Sequence, residues 1–222
     1  MNQYSFFRIV MLLCFLFVFG VSYGAPKREF RGAWIHIVGN NVIRTMSTQQ
    51  VQKMLTDALD AIQDAGCNAV IFQVRPAADA FYYSSIEPWS RYLTGVQGKV
   101  PEPFWDPLQF MIEQTHKRGM EIHAWCNPYR VTLNANDTLC KEHLYFKNPD
   151  IFVKYGKQIY FNPAEPASRE FTVKVVADIV SRYDIEAIHF DDYFYPYPIA
   201  GEKFDDDKAF KKYAAQQGFS NK

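Results

Sequence analysis

The chain has 222 residues, of which 48% are hydrophobic and 17% aromatic, and its formal net charge at pH 7 is zero. The length suits one or two domains, and the hydrophobic fraction is that of an ordinary globular protein. With no net positive charge and no basic block, nucleic acid is excluded as an expected partner. The aromatic residues fall largely in predicted loops, which favours a ligand-binding surface.

The first 24 residues are predicted to be a secretory signal peptide. Arg8 precedes an apolar run from Ile9 to Val21, and small residues precede a cleavage point at Ala25. The run is shorter than the about 20 residues of a membrane span, and an uncleaved anchor is the alternative. We therefore expect residues 25–222 to be exported to the periplasm, cell envelope or extracellular space, with no stable membrane span after signal cleavage.

Strands and helices alternate four times along the remaining chain. The pattern predicts strands at 30–37, 67–74, 120–126 and 185–190, and helices at 48–65, 106–118, 167–183 and 205–217. Gly66 and Gly119 make up most of the helix-to-strand connections, whereas the segments 76–104 and 128–165 are predicted to be long loops after strands. This alternation predicts a parallel sheet, and the asymmetry of the connections is typical of a (β/α) barrel.

Each predicted strand has one apolar face and one polar or aromatic face. The second face carries Trp34 and His36, Gln73 and Arg75, His123, Trp125 and Asn127, and His189 and Asp191. A doubly wound open sheet needs apolar groups on both faces, so this contrast favours the barrel over that alternative. A complete barrel needs about 250 residues and eight units. The expected fold is therefore α/β: the first four or so βα units of a (β/α)8 TIM barrel, an incomplete barrel.

The stretch from Ile185 to Pro196 carries the strongest functional signal. Asp191 lies on the polar face where the strand ends, and Asp192 follows it. Tyr193 and Tyr195 come next, among other aromatic residues and prolines. Adjacent carboxylates surrounded by aromatic rings suit a sugar-binding site, and a solvated acidic loop is the alternative.

Four segments in this order resemble the glycosyl hydrolase-like 10 domain family. They are Phe30-Arg31-Gly32-Ala33-Trp34, Gln73-Val74-Arg75-Pro76 with Asp79-Ala80, the segment from Ala124 to Val131, and the segment from His189 to Pro196. The resemblance covers residues from about 30 to the end of the chain. It implies an exported bacterial protein whose residues 25–222 are the N-terminal part of a glycosidase-like barrel domain, acting on peptidoglycan or another exported polysaccharide.

The resemblance also implies roles for individual residues. Glycoside hydrolysis needs two carboxyl groups. Asp191 is the predicted nucleophile or base, and Asp192 is expected to orient Asp191, bind a sugar hydroxyl or act as the second acid. The expected substrate-binding residues are Arg75, Asp79, Trp125, Asn127, Arg130, His189, Tyr193 and Tyr195. Arg75, Asn127 and Arg130 are expected to clamp the substrate or to act as partners of the acids, and simple packing is the alternative for the aromatic side chains. For Arg75, a structural ion pair with Asp79 is the alternative.

No cofactor or metal is predicted. His36, His123 and His189 share the polar face, but their spacing lacks the His-x-His pair of a metal-dependent hydrolase barrel, which favours histidines that form hydrogen bonds in the core. The expected partner is a carbohydrate substrate. Two other functional classes remain open: a metal-dependent glycan hydrolase or deacetylase, and a non-catalytic glycan-binding fragment.

Overall fold

The computed structural model describes residues 29–134, 137–191 and 194–220, so the predicted signal peptide lies outside the described residues. The described strands are β1 (Gly32–Ile35), β2 (Ala69–Arg75), β3 (Glu121–Cys126), β4 (Phe152–Tyr155), β5 (Gln158–Phe161) and β6 (Ala187–Phe190). Strands β1, β2, β3 and β6 form one parallel sheet in that order, and β4 pairs with β5 in an antiparallel hairpin. The predicted parallel sheet is confirmed.

Three longer helices connect the strands of the sheet. The described helices are α1 (Thr48–Asp64), α2 (Arg91–Thr94), α3 (Pro107–His116), α4 (Leu144–Lys147), α5 (Pro166–Arg182) and α6 (Asp207–Tyr213). Short 3-10 helices cover Ile43–Thr45, Pro149–Ile151 and Ala215–Gln217. Helices α1, α3 and α5 lie between consecutive strands of the sheet, as predicted. Within the described ranges, none of the helices combines the length and apolar character that crossing a membrane requires.

Local sequence signals determine where these helices begin and end. Ser47 and Gln50 form a reciprocal capping box at the start of α1, with the Gln50 amide donating to Ser47 Oγ at 3.3 Å. Asp106 caps α3 by accepting the Leu108 amide at 3.0 Å. Gly66 and Gly119 have φ of +77° and +67°. Because only glycine adopts such angles without steric cost, these two positions end their helices and turn the chain into the next strand.

The helices pack against one face of the sheet. One apolar core joins Val51, Leu55 and Leu59 of α1, Met111 and Ile112 of α3, Val175 and Ile179 of α5, and the strand residues Val70, Phe72, Val74, Ile122, Ala124 and Cys126. These strand residues are the apolar set predicted from the alternation. The opposite face carries the polar and aromatic set, which includes Gln73, Trp125 and His189. The predicted assignment of the two faces is therefore confirmed for β2 and β3.

The order of the strands distinguishes between the two predicted architectures. A doubly wound sheet reverses its strand order at a switch point. Here the strands of the sheet follow one another in chain order, and the core with the helices lies on one face. Both features are those of a TIM-barrel-like α/β fold.

Three segments differ from the prediction. The segment 76–104, predicted as a loop, contains α2. The segment 128–165, predicted as a loop, contains α4 and the β4–β5 hairpin. Gly156, with φ of +56°, and Lys157 form its two-residue turn. The single helix predicted at 205–217 is instead α6 followed by the 3-10 helix at 215–217.

Candidate active site

Asp191 directly follows β6 at the carboxyl end of the parallel sheet and is half-buried. Its Oδ2 accepts a hydrogen bond from Trp125 Nε1 at 3.3 Å and another from Asn127 Nδ2. Both donors come from the end of β3, where Trp125 pairs in register with His189 of β6. The structure therefore brings the predicted catalytic carboxylate together with two of the predicted substrate-binding residues.

Asn127 is fully buried and its carboxamide is held from both sides. Its Oδ1 accepts hydrogen bonds from Arg130 Nη2 at 2.7 Å and from Gln73 Nε2 at 2.8 Å. Arg130 is itself buried and also donates to the Pro76 carbonyl at 3.1 Å. Arg130 was predicted to clamp the substrate or to act as a partner of the acids. In the structure its guanidinium donates to Asn127 and to a backbone carbonyl, and it thereby helps to fix the side chain that contacts Asp191.

Arg75 is also fully buried. Its side chain forms a two-bond ion pair with Glu87, with distances of 2.6 and 2.7 Å, and both side chains are at most 2% exposed. Its Nη1 donates to the carbonyls of Asn127 at 2.6 Å and Pro128 at 3.0 Å. The predicted alternative, an ion pair between Arg75 and Asp79, is therefore wrong, because the guanidinium is occupied by Glu87. Arg75 fixes the backbone after β3 and presents no surface to a ligand.

Asp79 is fully buried in the loop that follows β2. Its Oδ2 accepts hydrogen bonds from Gln97 Nε2 at 3.1 Å and from the Arg91 amide at 3.4 Å. Burial raises the pKa of its carboxyl to about 6, against the opposing effect of the Gln97 hydrogen bond. Asp79 was predicted to bind substrate, but a carboxyl with no exposed surface organises this loop instead.

Aromatic rings line the polar face of the sheet beneath Asp191. Trp34 stacks on His189 with ring centroids 5.2 Å apart, and it meets Trp125 edge to face at 4.7 Å. His123 packs edge-on to His189 at 5.3 Å. Burial lowers the pKa of His189, and the neighbouring His123 lowers it further. His189 is thus part of a layer of aromatic side chains next to the carboxylate.

The loop after Asp191 carries further aromatic side chains. Tyr195 is 47% exposed and packs edge-to-face on Phe204 with centroids 5.3 Å apart. Phe194, also exposed, contacts Tyr129. The predicted roles of Asp192 and Tyr193 lie outside the described residues.

Comparison with known proteins assigns the chain to a family. The family model described as glycosyl hydrolase-like 10 matches residues 29–222. The chain belongs to the glycosyl hydrolase-like 10 family. The resemblance inferred from the four sequence segments is therefore confirmed.

Two curated relatives of this family member are named as glycosyl hydrolases. Glycosyl hydrolase YngK of Bacillus subtilis (strain 168) is 46% identical over 221 residues, which cover 96% of this chain and 43% of the relative. Glycosyl hydrolase DigH of Escherichia coli (strain K12) is 36% identical over 207 residues, covering 84% of this chain and 46% of the relative. The chain thus spans less than half the length of these two relatives.

A solved glycosidase shares the fold. The α-L-fucosidase isoenzyme 2 from Paenibacillus thiaminolyticus superimposes with a TM-score of 0.52 at 16% sequence identity, over 86% of this chain and 26% of the fucosidase. At this identity the similarity concerns the fold alone. It agrees with the TIM-barrel-like arrangement of strands and helices described above.

Within the described part of this glycosyl hydrolase-like 10 protein, the histidines do not cluster with other metal-binding groups. Across residues 29–134, 137–191 and 194–220, no three His, Cys, Asp or Glu side chains lie together as metal ligands would. His123 contacts Glu121 Oε2 at 3.3 Å near the start of β3, below the carboxyl end where Asp191 lies.

The sequence reasoning missed three residues that this site depends on. Glu87 lies in the predicted loop 76–104 and was given no role, although its carboxylate pairs with Arg75. Gln73 and Trp34 were assigned to the polar face but not to the site. For both residues the signal was present, because they share the alternation that identified Trp125 and Asp191.

Proposed function

We propose that this protein is a glycoside hydrolase that acts on a bacterial glycan, such as peptidoglycan or another exported polysaccharide. The observation that carries the proposal is the half-buried Asp191 at the carboxyl end of β6, held by Trp125 and Asn127. In barrel enzymes, this end of the strands is where catalytic residues lie. Membership of the glycosyl hydrolase-like 10 family supports the same class of reaction.

In this mechanism Asp191 is the nucleophile or the general base. As nucleophile, its carboxylate forms a bond to the anomeric carbon while the glycosidic bond breaks, and the leaving oxygen takes a proton from a partner acid. As base, it removes a proton from the water that attacks the same carbon. Hydrogen bonds from Trp125 and Asn127 hold the carboxylate in one orientation.

The partner acid is Asp192 or a carboxylate of a further barrel strand. We propose that the four parallel strands are one part of a (β/α)8 barrel. Their consecutive order supports this, as does the coverage of 43% and 46% of the two longer relatives. On this view the remaining strands close the polar face over Trp34, Trp125 and His189.

The glycan contacts the accessible aromatic groups, whereas the buried polar groups hold the site in shape. Trp125 and Tyr195 are the described candidates for sugar contact, since an aromatic ring offers an apolar face together with a polar edge. Arg75, Asp79 and Arg130 are buried, and their hydrogen bonds hold the surrounding loops and side chains in place. In keeping with the predicted signal peptide, we place the protein outside the cytoplasm, in the periplasm, envelope or medium.

The proposal is tested by measuring the release of reducing ends from a panel of bacterial glycans, beginning with peptidoglycan glycan chains. The enzyme is the full product of the gene that encodes this chain. Asp191→Asn keeps the shape of the side chain and its contact with Trp125, but it removes the charge. We expect the rate to fall at least ~100-fold, as for the loss of a group that takes part in the chemical step.

Asp205→Asn is the matched control, because Asp205 is exposed and follows the same loop. It should keep the wild-type rate. A wild-type rate in Asp191→Asn would contradict the proposal. Loss of wild-type activity in EDTA would favour a metal-dependent hydrolase, and binding without release of reducing ends would favour a glycan-binding protein.

A further inference from the structure

Gln73 lies on the polar face of β2 and is only 1% exposed, so it cannot touch a substrate. Its Oε1 accepts the backbone amides of Ile37 at 2.8 Å and Val38 at 3.1 Å, just beyond β1. Because backbone amides only donate, these contacts fix which end of the carboxamide is oxygen and which is nitrogen. Gln73 Nε2 must therefore point the other way.

That nitrogen meets Asn127. Gln73 Nε2 donates to Asn127 Oδ1 at 2.8 Å, and Arg130 donates to the same oxygen at 2.7 Å. If the Asn127 carboxamide turned over, its own N–H groups would face these two donors. Its orientation is thus determined by the surrounding donors, and Nδ2 faces Asp191.

We infer that Gln73 is a positioning residue for the reaction: it fixes the Asn127 carboxamide so that an N–H, and never an oxygen, faces the Asp191 carboxylate. The path runs from the backbone after β1 through Gln73 to Asn127, and from there to Asp191. It links three strands of the sheet to one carboxylate oxygen. This inference rests on the proposed function, in which Asp191 takes part in the chemical step.

Two substitutions separate positioning from simple packing. Gln73→Met keeps the size of the side chain and removes, at every pH, both the donor to Asn127 and the acceptor for the backbone amides of Ile37 and Val38. Gln73→Glu keeps the acceptor for Ile37 and Val38, and it donates to Asn127 only while the introduced carboxyl is protonated. Burial should raise the pKa of the introduced carboxyl, so that it stays protonated at moderately acidic pH. Arg130 and Asp191, each one hydrogen bond beyond Asn127, are the charged groups on this path.

The experiment measures kcat and KM on the hydrolysed glycan from pH 4 to 8, normalised to the folded fraction from thermal unfolding. We expect Gln73→Met to lower kcat about 10- to 100-fold at every pH with little change in KM, because a small misplacement of a reacting group is costly. Gln73→Glu should approach the wild-type kcat at acidic pH and fall to the Gln73→Met level as pH rises. The control is Gln63→Glu, which makes the same change on exposed α1, and its profile should match the wild type.

A wild-type kcat in Gln73→Met would overturn the inference, and so would a Gln73→Glu to wild-type ratio that is constant over pH. If the wild-type protein hydrolyses no glycan, the proposed function fails, and the positioning role is judged by NMR of the Asn127 side-chain amide. Its resonances should shift in Gln73→Met towards those of Asp191→Ala, since both changes remove the contact between Asn127 Nδ2 and the Asp191 carboxylate. Resonances unchanged from the wild type would refute the role of Gln73.

Discussion

Asp191 and Asp79 both follow a strand of the same parallel sheet, yet their surroundings are opposite. Asp191 is half-buried and accepts the N–H groups of Trp125 and Asn127 at the open end of the sheet. Asp79 is fully buried, and burial raises its pKa to about 6. A carboxylate near a strand end is therefore available for chemistry only when the loop that follows the strand leaves it accessible.

Two ion pairs, one buried and one exposed, show a similar contrast. Arg75 at the end of β2 and Glu87 in the loop that follows it form a buried ion pair. Lys53 and Asp57 form a pair of similar distance, 2.7 Å, on the surface of α1, where their side chains are 76% and 59% exposed. Because water screens the second pair and not the first, the two should differ strongly in their contribution to stability.

The largest effect is expected from breaking the buried pair. Arg75→Met leaves the Glu87 carboxylate buried without its partner, which should lower the free energy of unfolding by about 3–5 kcal/mol. Urea unfolding measures the change. Lys53→Met is the surface control and should cost no more than about 0.5 kcal/mol.

A double variant sharpens this result. Arg75→Met combined with Glu87→Gln should recover part of the loss, because no uncompensated charge then remains buried. A stable Arg75→Met that has lost glycan binding would contradict our assignment and restore Arg75 as a ligand-binding residue.

A smaller effect, with a defined pH window, is expected at Asp79. Its pKa is raised from 3.8 to about 6, so between these values the folded chain holds a proton that the unfolded chain has released. Ionisable Asp79 therefore makes the wild type less stable as pH rises through this window. Asp79→Asn cannot ionise, and its stability relative to wild type should grow by about 2 kcal/mol from pH 4 to pH 7.

Urea unfolding at pH 4, 5, 6 and 7 tests this expectation. Burial lowers the pKa of His143 to about 4, which gives the opposite slope, so only the difference between variant and wild type isolates Asp79. The exposed Asp205→Asn should give a difference that does not change with pH. The same constant difference for Asp79→Asn would show that Asp79 ionises as freely as a surface carboxyl.

Much of the fold could be predicted because local signals and alternation agreed. The caps at Ser47 and Asp106 and the glycines at 66 and 119 bounded the helices, and the two faces of the strands followed from a period of two. The β4–β5 hairpin was missed because its short strands lie in a long aromatic segment. The Gly156-Lys157 turn was its one clear signal.

The site was less predictable, because alternation gives the direction of a side chain and not its depth. Trp125, Asn127 and Asp191 were assigned to one face, and they do meet. Arg75 was assigned to the same face, but the loop 76–104 covers it and supplies Glu87 twelve positions along the chain. Such a pairing depends on how the loop folds over the sheet, which no local pattern encodes.

The most direct test of the contrast between the two aspartates is carboxyl labelling with a water-soluble carbodiimide and an amine, located by peptide mass spectrometry. It requires no turnover, and each carboxyl in the chain is scored separately. We predict labelling of Asp191 in the free protein, suppression of that label by saturating glycan, and no label on Asp79 while the chain is folded. An unreactive Asp191, or one labelled equally with and without glycan, would contradict the account.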